Sequence, residues 1–163
     1  MNAYLRLKGR EQGDIAGPIT ESGLEGTILV HSFDHEATTP HDPATGQSNG
    51  KRQHQPLVIL KAIDKSSPLL WKAFANGEAF ATWELHIWEP GATPAQPGKL
   101  IYTITLVNAH VTSIHTSMES SGVARTNAMA APTPTAPEED VSFTYDSIRW
   151  NWTDGGVTAT DDW

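Results

Sequence analysis

The sequence predicts an all-β domain carrying one helix, folded as a β-sandwich or a compact barrel. Three observations predict it. Stretches of period-2 alternation recur along the chain, turn residues separate them, and one segment alone is punctuated as a helix. At 163 residues the chain suits one domain, 1–163, with a single sizeable core.

Ala3, Leu5 and Leu7 alternate with Tyr4, Arg6 and Lys8, which reads as a first strand. After a turn-rich connection, Leu24 to Phe33 reads as a second, with Ile28, Val30 and Ser32 on one face and Leu29, His31 and Phe33 on the other. Pro40, Pro43, Gly46, Asn49, Gly50 and Pro56 then forbid regular structure, leaving a long polar loop too extended to pack on itself. Such a loop needs a partner surface to lie on. Leu57 to Ile63 resumes a strand.

The helix follows, with Ser67 as N-cap, Pro68 at its first position where the missing N–H is harmless, and Gly77 at C′. Leu69, Leu70, Ala73 and Phe74 form its expected buried stripe, with Trp71 at the margin. From Phe80 to Glu89, Trp83, Leu85 and Ile87 face in while Thr82, Glu84 and His86 face out. Pro90-Gly91 to Pro97-Gly98 reads as a hairpin-type loop. Alternation resumes with Leu100, Tyr102, Ile104 and Leu106 and continues through Val111, Ile114 and Met118, with a change of phase near Asn108–His110 that predicts a bulge or bend. Gly122 to Pro137 is poor in apolar anchors and reads as an exposed loop. Val141, Phe143 and Tyr145 share a face, but Ile148, Trp150 and Trp152 lie on the other. That switch at Asp146-Ser147 fits a bulge, or a strand leaving one sheet for another. A turn at Asp154-Gly155-Gly156 precedes the acidic end Asp161-Asp162-Trp163.

Composition narrows function by exclusion. Hydrophobic residues make up 38% and charged residues 18%, enough apolar surface to fold. The net charge of -8, with basic residues scattered apart from Lys51-Arg52, argues against nucleic acid as a partner. The absence of cysteine removes a disulfide scaffold and a thiol nucleophile. MNAYLRLKGRE has no apolar leader region and no run reaches membrane-span length, so no membrane insertion is expected.

The histidines are the first candidates for chemistry. His31, His35, His41 and His54 fall in or beside the long loop with Asp34, Glu36 and Asp42, a donor set that suits a divalent metal but matches no zinc spacing, so scattered polar loop residues are the favoured reading. His110 and His115, five apart in strand-like sequence, should point to opposite faces. Gly46 to Arg52 echoes a phosphate loop but is one residue short, has Arg52 where Ser or Thr should hold magnesium, and lacks the strand-to-helix setting. No G-x-S-x-G elbow is present. The six tryptophans suit either a sugar-stacking platform or burial, and the strand positions of Trp83, Trp150 and Trp152 favour burial. No catalytic residue, cofactor or enzyme activity is expected.

Three signatures, in order along most of the chain, then carry a resemblance. They are the loop TTPHDPATGQSNGKRQHQP (38–56), the helix KSSPLLWKAFANGE (65–78), and the ending VSFTYDSIRWNW…DGG…DDW (141–163). Together they resemble the Hcp family, the haemolysin-coregulated proteins that form the inner tube of the bacterial type VI secretion system. The resemblance implies a compact β-barrel made of two sheets with one helix at its side, assembling as a hexameric ring. It further implies rings stacked into a hollow tube, with a spike protein, a contractile sheath and lumenal effector proteins as partners. Assembly would be cytoplasmic, followed by secretion without a cleaved signal peptide and without any reaction. Thr39, Pro40, Asp42, Pro43, Gly46, Gln47, Gly50, Arg52 and His54 match the family's loop, which implies inter-subunit contacts for them, and Ser32 is assigned to the lumen. The Ala/Pro/Thr-rich segment 119–137 departs from the charged stretch expected there. Two other classes stand beside this one: a jelly-roll metal-dependent enzyme using the loop histidines, and a monomeric carbohydrate-binding β-sandwich.

Overall fold

The structure is a computed structural model that describes residues 1–91, 98–118 and 136–163, together with the backbone of 120–121 and 133–134. The expected hairpin-type loop at 92–97 and most of the expected exposed loop at 122–137 lie outside the described residues.

In chain order the elements are β1 (Asn2–Gly9), β2 (Gly13–Asp14), β3 (Ile28–Val30), β4 (Ser32–Asp34), β5 (Ala37–Thr38), β6 (Gln53–His54), β7 (Leu57–Ala62), α1 (Ser67–Asn76), β8 (Phe80–Glu89), β9 (Lys99–Val107), β10 (His110–Ser117), β11 (Ser120–Ser121), β12 (Thr133–Pro134), β13 (Glu138–Thr144), β14 (Ser147–Trp152) and β15 (Val157–Asp162). The larger sheet runs β15-β14-β9-β8-β1, with β2 and β3 both on the far edge of β1. The smaller runs β10-β13-β7-β4, and two short ribbons pair β5 with β6 and β11 with β12. All pairings are antiparallel.

The inner faces of the two sheets share one core. Trp83 of the larger sheet meets Phe143 of the smaller edge-on, 5.4 Å between ring centres, and both are buried completely. The expected two sheets and single helix are therefore present, but the expected barrel is not. Among the described residues the sheets face each other without closing, because each keeps unpaired edges, β15 in one and β10 and β4 in the other. What joins them is the chain itself, which passes once through α1, between β7 and β8, and three times more directly from one sheet to the other. After β3 the His31 N–H already bonds Leu60 O at 2.8 Å in the smaller sheet. The phase changes expected near Asn108 and Asp146 are the other two direct crossings. They are tied together, since Asp146 N–H donates to Val107 O at 2.9 Å and Asn108 Nδ2 donates to Asp146 Oδ2 at 2.8 Å. Asn108 takes φ 52°, a left-handed turn that asparagine tolerates better than most residues.

Register also corrects the histidine expectation. A bulge between Val111 and Ser113 resets the alternation of β10, so His110 lies opposite Thr144 and His115 opposite Asp140, on the same face. Four partner positions along β13 still separate them by about 13 Å, too far to share an ion.

The helix is where expected but is held differently. Ser66, not Ser67, is the N-cap, and it makes no side-chain cap bond. Ser67 Oγ is drawn into the interior, where it donates to Glu139 Oε1 at 2.6 Å and accepts from Lys61 Nζ at 3.0 Å and from Asp64 N–H at 3.0 Å. Lys61 Nζ bonds Glu139 Oε1 at 2.7 Å, and both side chains are buried. Leu70 and Ala73 are buried as expected, whereas Phe74 and Trp71 are exposed and pack edge-on against each other. Gly77 ends the helix at φ 60°, a left-handed conformation that suits glycine.

The residue after it, Glu78, is buried and clamps the β1–β2 turn. Its Oε1 accepts the N–H groups of Glu11 at 2.7 Å and Gln12 at 2.8 Å, while Gln12 Nε2 reaches back to Leu69 O on the helix. Burial works to raise its pKa, but the N–H donors of Gln12 and Glu11 outweigh that and hold the carboxyl below its ordinary value. A depressed carboxylate stabilises the fold above its unfolded pKa, about 4.3, and loses that contribution as pH falls through the folded value. Glu78→Ala should therefore destabilise the protein by about 1–3 kcal/mol at neutral pH. The gap between variant and parent should narrow in acid, read by urea unfolding at two pH values. A constant gap would refute the clamp.

Candidate functional site

The candidate site is the segment from His35 to Gln55 and the surface that holds its base. It is not the extended coil the sequence suggested. β5 and β6 pair Ala37 with His54 and Thr38 with Gln53, Gln55 N–H bonds Glu36 O at 2.9 Å, and a lone bridge pairs His41 with Ser48. Asp42 organises the tip. Its Oδ1 accepts Ala44 N–H at 2.7 Å, its carbonyl accepts Gly46 N–H at 2.7 Å, and its own N–H donates to Gln47 O at 2.8 Å. Gly46 takes φ 71° to complete the turn. The segment is thus a self-bonded ribbon, an arm that keeps its shape without a partner.

The base of the arm is pinned by the end of the same chain. His54 is fully buried at its side chain, with Nδ1 2.9 Å from Tyr145 Oη and Nε2 3.0 Å from Asp161 Oδ2. His35 Nε2 lies 2.6 Å from the same tyrosine oxygen. One proton arrangement satisfies every group with both rings neutral. His35 Nε2–H donates to Tyr145 Oη, Tyr145 O–H donates to His54 Nδ1, and His54 Nε2–H donates to Asp161. Arg52 closes the set with a two-pronged pair, Nε to Asp161 Oδ2 at 2.6 Å and its terminal nitrogen to Oδ1 at 2.5 Å. Trp163 stacks on His54 with 28° between rings and meets Tyr145 edge-on at 5.0 Å, while its N–H bonds Asp146 O at 2.9 Å.

The electrostatics follow from this packing. The bond from Arg52 is the main force holding the Asp161 carboxyl well below the usual carboxylate range, with the His54 bond adding to it and burial opposing. Burial, then the Asp161 charge, pushes the Tyr145 phenol up to about 12. Burial and then the neighbouring His54 lower the pKa of His35, opposed by Asp34. An aspartate, a histidine and a tyrosine in line resemble a proton relay, but the line ends on a buried phenol with no exposed nucleophile. What it can do is fasten the arm, more firmly at neutral pH than in acid.

Of the residues assigned from sequence, Thr39, Pro43, Gly46, Gln47, Gly50 and Arg52 are exposed on the arm, Pro40 and Asp42 are half-buried in its own turn, and His54 is buried in the latch. Ser32 is exposed on β4, opposite Leu60. The four loop histidines do not converge. His31 pairs with Glu138 at 2.7 Å, His41 sits on the arm, and only His35 and His54 meet, with their facing nitrogens committed to Tyr145 and Asp161. Nor do the tryptophans form a platform. Trp83 is buried, Trp71, Trp152 and Trp163 are exposed on the helix, β14 and the chain end, and no two are in ring contact. Sequence reasoning missed Tyr145, Asp161 and Trp163 as partners of the arm.

With this geometry in view, comparison with known proteins is decisive. A family described as "Type VI secretion system effector, Hcp" matches residues 4–152. The chain belongs to the Hcp family. The "Major exported protein" of Pseudomonas aeruginosa is 35% identical to this Hcp chain over 173 residues, covering 99% of the chain and 94% of that relative. Among solved structures, one described as an Hcp protein superposes with a TM-score of 0.84 at 28% identity, covering 100% of this chain and 99% of the other. The secreted protein Hcp3 from Pseudomonas aeruginosa gives 0.76 at 30% identity, covering 99% and 97%. The family resemblance read from three sequence signatures is thereby established.

Proposed function

We propose that this chain is the repeating subunit of a type VI secretion tube, a hexameric ring that stacks on copies of itself and is exported with effector proteins in its lumen. The spike protein at the tip and the contractile sheath around the tube are its other partners, and assembly takes place in the cytoplasm before secretion. The chain performs no reaction in this reading. The observation that carries it is the arm: a self-bonded, polar ribbon leaves the sandwich, and a buried network fixes its base while its tip residues make no hydrogen bond to a described residue outside the arm. An element so shaped and so anchored suits a contact with a second copy, and Hcp membership supplies the setting. Repeated heterologous contacts of that kind close rings or extend stacks. Thr39, Pro40, Asp42, Pro43, Gly46, Gln47 and Gly50 make those contacts in the proposal, Arg52 and His54 set their direction, and Ser32 faces the lumen.

The test uses the arm alone. Asn49 N–H bonds Pro40 O at 2.9 Å, so two glycines can replace residues 41–48 without moving the base. The shortened protein should stay folded, since the loop lies outside the core, but should run as a monomer where the parent forms rings. Native mass and negative-stain images decide it, and hexamers persisting in the shortened protein would sink the arm's role. A monomeric parent carrying stoichiometric metal would instead favour the metalloenzyme class.

A further inference from the structure

The outward face of the smaller sheet has a composition that the fold alone does not require. On the central strand β7, Leu57, Ile59 and Lys61 point into the core, leaving Val58, Leu60 and Ala62 half-exposed on the outside. Register places carboxylates on both sides of this apolar stripe. Asp34 of β4 pairs with Val58, while Asp140 and Glu138 of β13 pair with Leu60 and Ala62. Among the described residues no Lys or Arg occupies an outward position on any of the four strands, and the one lysine of the sheet, Lys61, is turned inward. Asp34 and Asp140 make no side-chain hydrogen bond to described residues, and Glu138 has only His31. The larger sheet is built the other way. Arg6, Glu84, Thr105 and Arg149 form one outward row across β1, β8, β9 and β14. The outer face of the larger sheet thus mixes both signs, whereas the described outer face of the smaller sheet sets carboxylates, with no Lys or Arg, beside the apolar stripe of β7.

We propose that this face docks a cationic amphipathic protein surface, an apolar ridge flanked by Lys or Arg. Val58 to Ala62 spans about 13 Å, the length of roughly nine helical residues, so the stripe fits two and a half turns of a helix. Carboxylates on either side meet the flanking cations and fix the register of the ridge, while area burial along the stripe supplies the contact. The surface deepens the tube reading, on which it rests for the source of its partner: Ser32 lies on the same face, so the cargo of the lumen would be selected for this chemistry.

The probe is a labelled synthetic helical peptide with a leucine ridge flanked by lysines, compared with the same peptide carrying glutamate for each lysine. It is titrated against the full chain and followed by anisotropy at low and high salt. The lysine peptide should bind, binding should weaken with salt, and the glutamate peptide should not bind. Asp34→Asn with Asp140→Asn, and separately Leu60→Ser, should each weaken binding about tenfold or more, while Arg149→Ala on the opposite face should leave it unchanged. Failure of the lysine peptide to bind, equal binding of both peptides, or indifference to the acidic and Leu60 substitutions overturns the proposal. Native mass of the same samples separates the two readings. Rings that ignore the peptide remove the docking surface and keep the tube, whereas a monomer that binds it keeps the surface and removes the tube.

Discussion

Glu139→Ala should be among the most damaging single substitutions in the chain, costing about 3–5 kcal/mol. The carboxylate is buried and holds the equally buried Lys61 at 2.7 Å and Ser67 at 2.6 Å. Removing it strands an ammonium group in the core. Asp64, whose Oδ1 lies 3.3 Å from Lys61 Nζ and also accepts the N–H of Ser66 at 2.7 Å, offsets only part of that loss. In a domain of this size the loss corresponds to a fall in Tm of roughly 10 °C, measurable by calorimetry. The double variant Lys61→Met with Glu139→Leu should regain most of it, since an apolar pair of similar volume removes both desolvation costs. A single-variant cost below about 1 kcal/mol would mean that the pair is not closed to solvent as the structure has it.

Asp161→Ala should release the arm while leaving the sandwich folded. Arg52 loses both of its bonds and the buried His54 Nε2–H loses its acceptor, a local cost of about 1–3 kcal/mol. Hydrogen exchange at residues 36–55 should accelerate about tenfold or more while the β8 and β13 amides stay protected. Acid should do the same to the parent, in two stages. His35 has a lowered pKa when folded, so the folded state is penalised as pH falls below the unfolded value of about 6.5. Asp161 has a depressed pKa, so its contribution, complete above the unfolded value of about 3.9, is lost as pH falls further through the folded one. Arm exchange rates compared at pH 7.5 and 5.5, after correction for intrinsic exchange, read the first stage. Identical corrected rates at the two pH values would contradict it.

Most of the sandwich was legible because its strands are half-buried. β7 and β13 bury alternate residues, as β1 and β8 do over most of their lengths, and that alternation is written in the sequence, whereas β9 departs from it by burying Ile101 in place of Leu100 and Tyr102. β15 was not legible. It is an edge strand, VTATDD, with no buried residue, so it carries no apolar period to read. The inner ion pair was legible and overlooked: Lys61 falls in phase with Leu57 and Ile59, and Glu139 with Val141 and Phe143, so each strand pattern places a charge inside. The helix stripe failed at Phe74 because α1 buries only a narrow face, Ser67, Leu70 and Ala73, spaced by three. The latch lay beyond sequence reading altogether. His54 and Asp161 stand 107 positions apart, and only the pairing of β14 with β15 brings the chain end back under the arm.

The corner where the chain changes sheets has a mechanical consequence. Tyr145 and Asp146 lie between β13 of one sheet and β14 of the other. Tyr145 grips both arm histidines, and Asp146 receives the N–H of Trp163 and is bonded to the second crossing at Asn108. A pull on the arm therefore enters the subunit at a joint common to both layers as well as at two edge strands, β4, which the arm continues, and β15, which carries Asp161. From that joint it passes along β13 and β14 and across to the strands paired with them, β10 and β7 in one sheet and β15 and β9 in the other. In the proposed tube, a load on the arm would be divided between both sheets of each subunit instead of falling on one of them.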